Sequence, residues 1–192
     1  EVGEDSILFT ESGSYAANIE KAISIPSKPV PLRVFESEWL KTPNQKTIPD
    51  LCEQNNLDPS QIIKVVIFLA KFEDKSNIPI LTCIRGDQSI NEIKLFNLVN
   101  KKYSSNLIHL NLIEEKTIIE KNLINFTLGF IGPDIEDKTI KVESNWEKKW
   151  IRIADHSASE LSTFISGGNK FDYHKVYREF CFKDKNYLIA DI

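Results

Sequence analysis

Lys64 stands inside an otherwise apolar run, IIKVVIF, where an ammonium group is costly unless it reaches a partner or an open cleft. An outward-facing strand position explains it equally well. Gly129, Gly132 and Pro133 in LGFIGP, and Gly167, Gly168 and Asn169 in SGGNK, allow the backbone to approach a ligand closely and to present N–H donors. Ordinary tight turns use the same residues. Asp155 closes the run WIRIAD ahead of SASEL, a position suited to capping a helix or to accepting several hydrogen bonds at once. His174 follows Asp172 and Tyr173 and is a better pocket candidate than His109, in the loosely patterned NLIHLNL, or His156, in a turn. A cation, backbone donors, a carboxylate and an imidazole are groups that hold a polar ligand and stabilise charge developing on it.

Several other chemistries are absent from the pattern. Neither glycine loop has the spacing of a nucleotide-binding loop, and there is no GxSxG elbow or partner set for a Ser or Cys nucleophile. Three scattered His and three scattered Cys do not make a metal-ligand cluster, so no metal is expected. Cys52, Cys83 and Cys181 are read as reduced and mostly buried. A net charge of −4 argues against indiscriminate coating of nucleic acid, although a local basic surface remains compatible with it. No apolar run approaches the ~20 residues that span a bilayer, and the acidic, polar start does not read as a secretory leader, so a cytoplasmic protein without a membrane partner is expected. The 192 residues contain no Met, which implies a piece of a longer chain.

The elements that must position these residues are legible in part. DSILFT reads as a strand, and IPSKPVPL (25–32), with three prolines, as an extended connection. Thr47 and Pro49 predict the cap and first turn of a helix that places Ile48, Leu51 and Cys52 on one face. IIKVVIFLAKF (62–72) and IPILTCIRG (78–86) read as paired strands. SINEIKLFNLV (89–99) predicts a helix with Ser89 as cap and Glu92 completing a capping box, and IEEKTIIEKN (113–122) predicts another. Strands are expected at KTIKV (138–142), WIRIAD, TFISG and YHKVY, with a short helix at SASEL. Interspersed helices and strands define a mixed α/β (α+β) class, a central mixed sheet flanked by helices.

Taken together, IRGDQSINEIKL (84–95), LGFIGP and IADHSASELSTFISGGNKFDYH (153–174) resemble the editing insertion of bacterial-type prolyl-tRNA synthetases, of the YbaK-like aminoacyl-tRNA deacylase superfamily. GEDSILFT with SYAANIEKA, and YLIADI at the other end, look like the synthetase core leading into and out of the insertion. The resemblance therefore implies a core lead-in and linker at 1–32, an editing domain at 33–186 and a return segment at 187–192. Two stretches depart from it, the long connection DIEDKTIKVESNWEKKWIR and KVYREFCFKDKN after His174. The activity implied is hydrolysis of alanine wrongly esterified to tRNA(Pro), with the acceptor end of that tRNA and the remainder of the synthetase as partners. Editing would need no cofactor, whereas the parent would use ATP and Mg. By resemblance Lys64 holds a phosphate or the ester carbonyl, His174 orients substrate or water, and Asp155 receives the α-ammonium group. Gly129, Gly132 and Pro133 meet the tRNA 3′ end, and Ile48 and Leu51 form the floor of an alanine pocket. A free-standing trans-editing deacylase and a non-catalytic insertion that positions tRNA are the alternatives.

Overall fold

The computed structural model describes residues 7–23, 25–103, 105–117, 128–141 and 147–192. A short antiparallel hairpin, β1 (Ile7–Phe9) with β2 (Ala16–Asn18), opens the chain. Ala16–Asn18, in the stretch 14–22 whose few apolar positions do not decide between helix and loop, form the second strand of that hairpin. Most of the remainder is organised by two sheets. The five-stranded sheet has the order β10 (Leu188–Ala190), β7 (Ile151–Asp155), β5 (Asn77–Arg85), β4 (Ile63–Phe72), β6 (Leu107–Leu112). The three-stranded sheet is β3 (Trp39–Lys41), β9 (Tyr173–Tyr177), β8 (Phe164–Lys170).

β4 and β5 pair antiparallel from Ile63↔Arg85 to Lys71↔Asn77, as their β-branched runs on either side of a polar turn predict. β5 lies between β4 and β7 and is buried along its whole length, which is why its sequence is apolar without alternation. β7 and β10 run parallel to it, so Leu188–Ala190 belong to the same sheet as the strand ending at Asp155.

Alternation along β4 divides the core. Ile63 and Ile67 pack with Cys83, Ile131, Phe164 and Tyr177 on one side. Phe68, Ala70 and Phe72 pack on the other, beneath Leu95 and Val99 of α2 (Glu92–Lys102). The cap of α2 is Asn91, whose Oδ1 accepts from the N–H groups of Ile93 and Lys94 at 3.1 and 3.2 Å, and not Ser89. The helix therefore starts two residues later than the Ser89 to Glu92 spacing predicts. α1 (Ile48–Asn55) begins as read, with Thr47 accepting from the Asp50 N–H at 3.2 Å, and buries Leu51 against Leu57, Ile62, Ile165 and Val176.

The strand expected at KTIKV is replaced by a 3₁₀ turn over Asp137–Thr139. Thr139 donates its hydroxyl back to the Glu136 carbonyl at 2.6 Å, and the Asp137 carboxylate receives Arg152 at 2.8 Å. These side-chain bonds outbid strand propensity. Val142, at the end of that segment, lies outside the described residues. So does most of the helix expected at 113–122, of which residues 115–117 are helical. The short helix expected at SASEL is α3 (His156–Ser159), which starts one residue earlier, takes Ser157, Ala158 and Ser159 from that motif and is capped by Asp155.

Candidate functional site

The two sheets meet where β4 begins. Ile62 bridges to Ile165, and the buried Ser166 hydroxyl donates to the Ile63 carbonyl at 2.7 Å. Beside this junction opens a cleft of about 250 Å³. Ile48, Leu51, Ile63, Val65 and Ile131 form its apolar lining, and Thr47, Ser166 and His174 its polar points. Gly129 and Gly167 contribute bare backbone, and Lys46 and Lys64 stand at its border.

Two close approaches explain the glycines. Gly129 has φ +91°, and a Cβ there would stand 2.8 Å from the Lys46 carbonyl oxygen. A Cβ on Gly167 would stand 2.3 Å from the Phe130 carbonyl carbon and 2.4 Å from the Ile131 carbonyl oxygen. The 129–133 loop is thus laid directly on β8. Asn169 fastens it, donating its N–H to the Phe130 carbonyl at 2.9 Å and accepting the Gly132 N–H on Oδ1 at 2.7 Å. Its amide nitrogen donates to Asp134 at 2.6 Å. Tyr177 completes the clasp with a hydroxyl 2.7 Å from Asp134 Oδ1 and 2.8 Å from the Gly167 carbonyl oxygen, donating to one at a time. Tyr187 donates to the Pro133 carbonyl at 2.7 Å. The long connection after Pro133 starts from this anchored point.

His174 lies on β9 opposite Gly167 and is 4 % exposed, whereas His109 and His156 are exposed. Its Nδ1 is 2.7 Å from the hydroxyl of the fully buried Thr42, and its ring lies against Phe130. Burial pushes its pKa down to about 4, while a backbone hydrogen bond with Gly129 acts less strongly in the opposite direction. The ring is therefore a neutral hydrogen-bonding group near pH 7.

Lys64 is half-buried, and its ammonium donates to the Gln88 carbonyl. Desolvation lowers its pKa and the Asp87 carboxylate opposes that shift. Alternation places it on the strand face of Val66 and Phe68, while its neighbours Ile63 and Val65 face the cleft interior.

Six of the residues picked out in the sequence therefore border one cleft: Ile48, Leu51, Lys64, Gly129, Gly167 and His174. Gly132, Pro133 and Asn169 hold the loop behind it, and Gly168 packs against Trp39. Asp155 does not border it. One oxygen accepts the Ser157 N–H at 2.7 Å and the other the Ile192 N–H at 3.1 Å, so this carboxylate caps α3 and ties down the chain end. Thr42, Asp134 and Tyr177 are site-building residues that sequence reasoning missed. Their partners lie between 10 and 132 residues away, beyond any local pattern. A larger cavity of about 570 Å³ lies at the opposite end of the β4–β5 hairpin, around Phe72, Ile78 and Trp150. Among the described residues no group of three His, Cys, Asp or Glu side chains is placed to hold a metal ion, and no helix is long and apolar enough to cross a membrane.

The site is thus a small, half-apolar cleft on a mixed α/β fold, bordered by the bare backbone of Gly129 and Gly167. Residues 42–177 match the model of the aminoacyl-tRNA editing domain, and the chain belongs to that family. Over all 192 residues it is 71% identical to a proline–tRNA ligase of Prochlorococcus marinus subsp. pastoris (strain MED4), and 43% identical to that of Prochlorococcus marinus strain NATL1A. It spans 32% of the length of either relative. Among solved structures, a candidate trans-editing enzyme for prolyl tRNA synthetase superposes with a TM-score of 0.52 at 14% identity, covering 80% of this chain and 83% of the other. The hypothetical protein APE2540 gives 0.53 at 14% identity, covering 80% and 88%. At that identity the likeness is one of fold.

Proposed function

We propose that this chain is the editing module of a cytoplasmic proline–tRNA ligase and that it hydrolyses the ester of alanine mischarged on tRNA(Pro). The observation that carries this reading is the 250 Å³ cleft, in which an apolar wall from α1 faces the bare backbone of Gly129 and Gly167. Such a cavity takes a methyl side chain against its apolar wall, while the bare backbone lets an ester approach closely. The need for it is physical. Alanine is smaller than proline, so a proline-sized synthetic pocket rejects it only by a few kcal/mol of lost contact, and a second, smaller pocket supplies the remaining discrimination.

In the reaction, water adds to the ester carbonyl carbon, the bond from that carbon to the ribose oxygen breaks, and a proton ends on the ribose oxygen as alanine leaves. We assign stabilisation of the charge that builds on the ester or on an adjacent phosphate to the Lys64 ammonium at the cleft border, and the close approach of the ester to the bare backbone at Gly129 and Gly167. His174, neutral and anchored on Thr42, orients substrate or water. Ile48 and Leu51 set the size limit. We assign Asp155 to the architecture of the chain end, and the reaction as written requires no metal or cofactor. Incubating the chain with alanyl-tRNA(Pro) tests the reading: ester loss above the spontaneous rate is expected, and a folded protein that leaves the ester intact would favour a tRNA-positioning role instead.

A further inference from the structure

Arg85 ends β5 with 1% of its surface exposed, and it is the largest fully buried side chain among the described residues. Its Nε and Nη2 grip the two oxygens of Asp87 at 2.6 and 2.7 Å, a bidentate fork closed across a single intervening residue. Its Nη1 donates to the Ser27 carbonyl at 2.8 Å. The fork folds residues 85–88 into a turn, in which the Gln88 N–H returns to the Arg85 carbonyl at 2.9 Å. The turn is pressed onto the start of β4: the Gly86 N–H donates to the Ile62 carbonyl at 2.8 Å, and a Cβ on Gly86 would stand 2.5 Å from the Pro59 carbonyl oxygen. Gln88, at the end of the turn, presents the carbonyl that receives the Lys64 ammonium.

Burying a guanidinium costs several kcal/mol in desolvation, and an apolar pair of similar volume would serve the fold as well or better. What an apolar pair cannot do is fix a carbonyl and a carboxylate beside Lys64. That placement matters because alternation along β4 directs the Lys64 stem away from the face carrying Ile63 and Val65, so where the ammonium stands relative to the cleft is set by what anchors its tip.

We propose that the Arg85–Asp87 pair is a positioning device for Lys64. It holds the 86–88 turn so that the ammonium stays at the cleft border, and through Ser27 it links that placement to the seating of the proline-containing segment. The same segment is laid down at two more points, where the Val30 N–H reaches the Ser60 hydroxyl at 2.9 Å and Gln61 donates to the Pro31 carbonyl at 2.7 Å. Displacement of this segment is therefore transmitted to Lys64 without any contact in the cleft. The proposal rests on Lys64 acting in editing.

The test uses the full chain with ¹³Cε-labelled lysine, the Lys64 resonance being assigned by its loss in Lys64→Arg. Two variants are compared with wild type, Asp87→Asn and Arg85→Lys. Asp87→Asn removes the charge that opposes desolvation, so the Lys64 titration midpoint should fall further. Arg85→Lys cannot make the fork, so the Lys64 resonance should shift and broaden. Both should lower kcat on alanyl-tRNA(Pro) about 10- to 100-fold, as displacement of a reacting group by about 1 Å does. The His174 ring resonances should stay in place, because Thr42 and Gly129 are untouched. Asp87 is partly exposed and Asp→Asn is isosteric, so that variant carries the test if Arg85→Lys fails to fold. An unchanged Lys64 resonance and midpoint in folded Asp87→Asn would overturn the proposal, and a shifted resonance with an unchanged rate would overturn its link to editing. If wild type hydrolyses no alanyl ester, the functional reading fails while the resonance still decides the positioning.

Discussion

Adding one methyl group at Gly167 tests the packing on which the site depends. The new Cβ would lie 2.3 to 2.5 Å from three backbone atoms of Phe130 and Ile131, about 1 Å inside normal contact. Backbone cannot rotate away as a side-chain tip can, so the loop and β8 must separate. Gly167 is bound to this neighbourhood on both sides, by register with His174 on β9 and by the Asn169 bonds to Phe130 and Gly132 two residues on. Separation therefore stretches the clasp. Overpacking of this kind costs about 1–3 kcal/mol. At about 2–4 °C per kcal/mol for a chain of this size, the midpoint of thermal unfolding of Gly167→Ala should fall by roughly 2–12 °C. The loss in rate should be disproportionate, about 100-fold, because a 1 Å shift of the loop would reshape the cleft in which the proposed ester is held. Both are read from a thermal melt followed by circular dichroism and from release of labelled alanine at a temperature well below the lowered midpoint. A variant with wild-type midpoint and wild-type rate would refute the close approach of loop and strand and the role given to it.

Leu51→Ala, at a side chain 1% exposed, should cost about 2–5 kcal/mol and also relax the preference for alanyl over larger acyl groups, whereas half-buried Ile48→Ala should relax it at a smaller loss of stability; unchanged preference in both would return them to plain core packing. Lys64→Ala should fold normally and lose about 100-fold in deacylation, and near-normal hydrolysis would remove Lys64 from the chemistry. His174 has a folded pKa of about 4, below its unfolded value near 6.5, so in this window the unfolded chain binds more protons and stability falls as pH drops from about 6.5 to 4, by up to about 1.4 kcal/mol per pH unit. Urea midpoints from pH 7 to 4.5 for wild type and His174→Gln should differ by this slope, and parallel curves would contradict the burial described.

What was legible in the sequence follows from the range of the interactions involved. The β4–β5 hairpin and the start of α1 are written locally, in β-branched runs around a polar turn and in a Thr-x-Pro start signal. The cap of α2 was misplaced because Ser89 and Asn91 both satisfy the cap chemistry, and only the structure shows which side chain reaches two free N–H groups. β3 escaped notice because three residues owe their conformation to pairing with β9, over 130 positions away. The glycines of the site were visible as glycines, but their reason was not: Gly167 is required by Phe130, and Gly129 by Lys46. The capping role of Asp155 is legible in its place between a strand and SASEL, whereas the pocket role that the resemblance implies is not where the structure puts it, and its second bond, to Ile192, has no signal near it. Thr42 and Tyr177 look like ordinary strand and turn residues until the sheets are brought together.

The central claim is that the cleft between α1, the start of β4 and the 129–133 loop removes alanine, and not proline, from tRNA(Pro). The ratio of hydrolysis rates for alanyl-tRNA(Pro) and prolyl-tRNA(Pro), measured side by side with the same preparation, tests it most directly. The account predicts rapid loss of the alanyl ester with the prolyl ester decaying at its spontaneous rate. Equal rates for the two esters, or no acceleration of either by a protein with an intact melt, would contradict it.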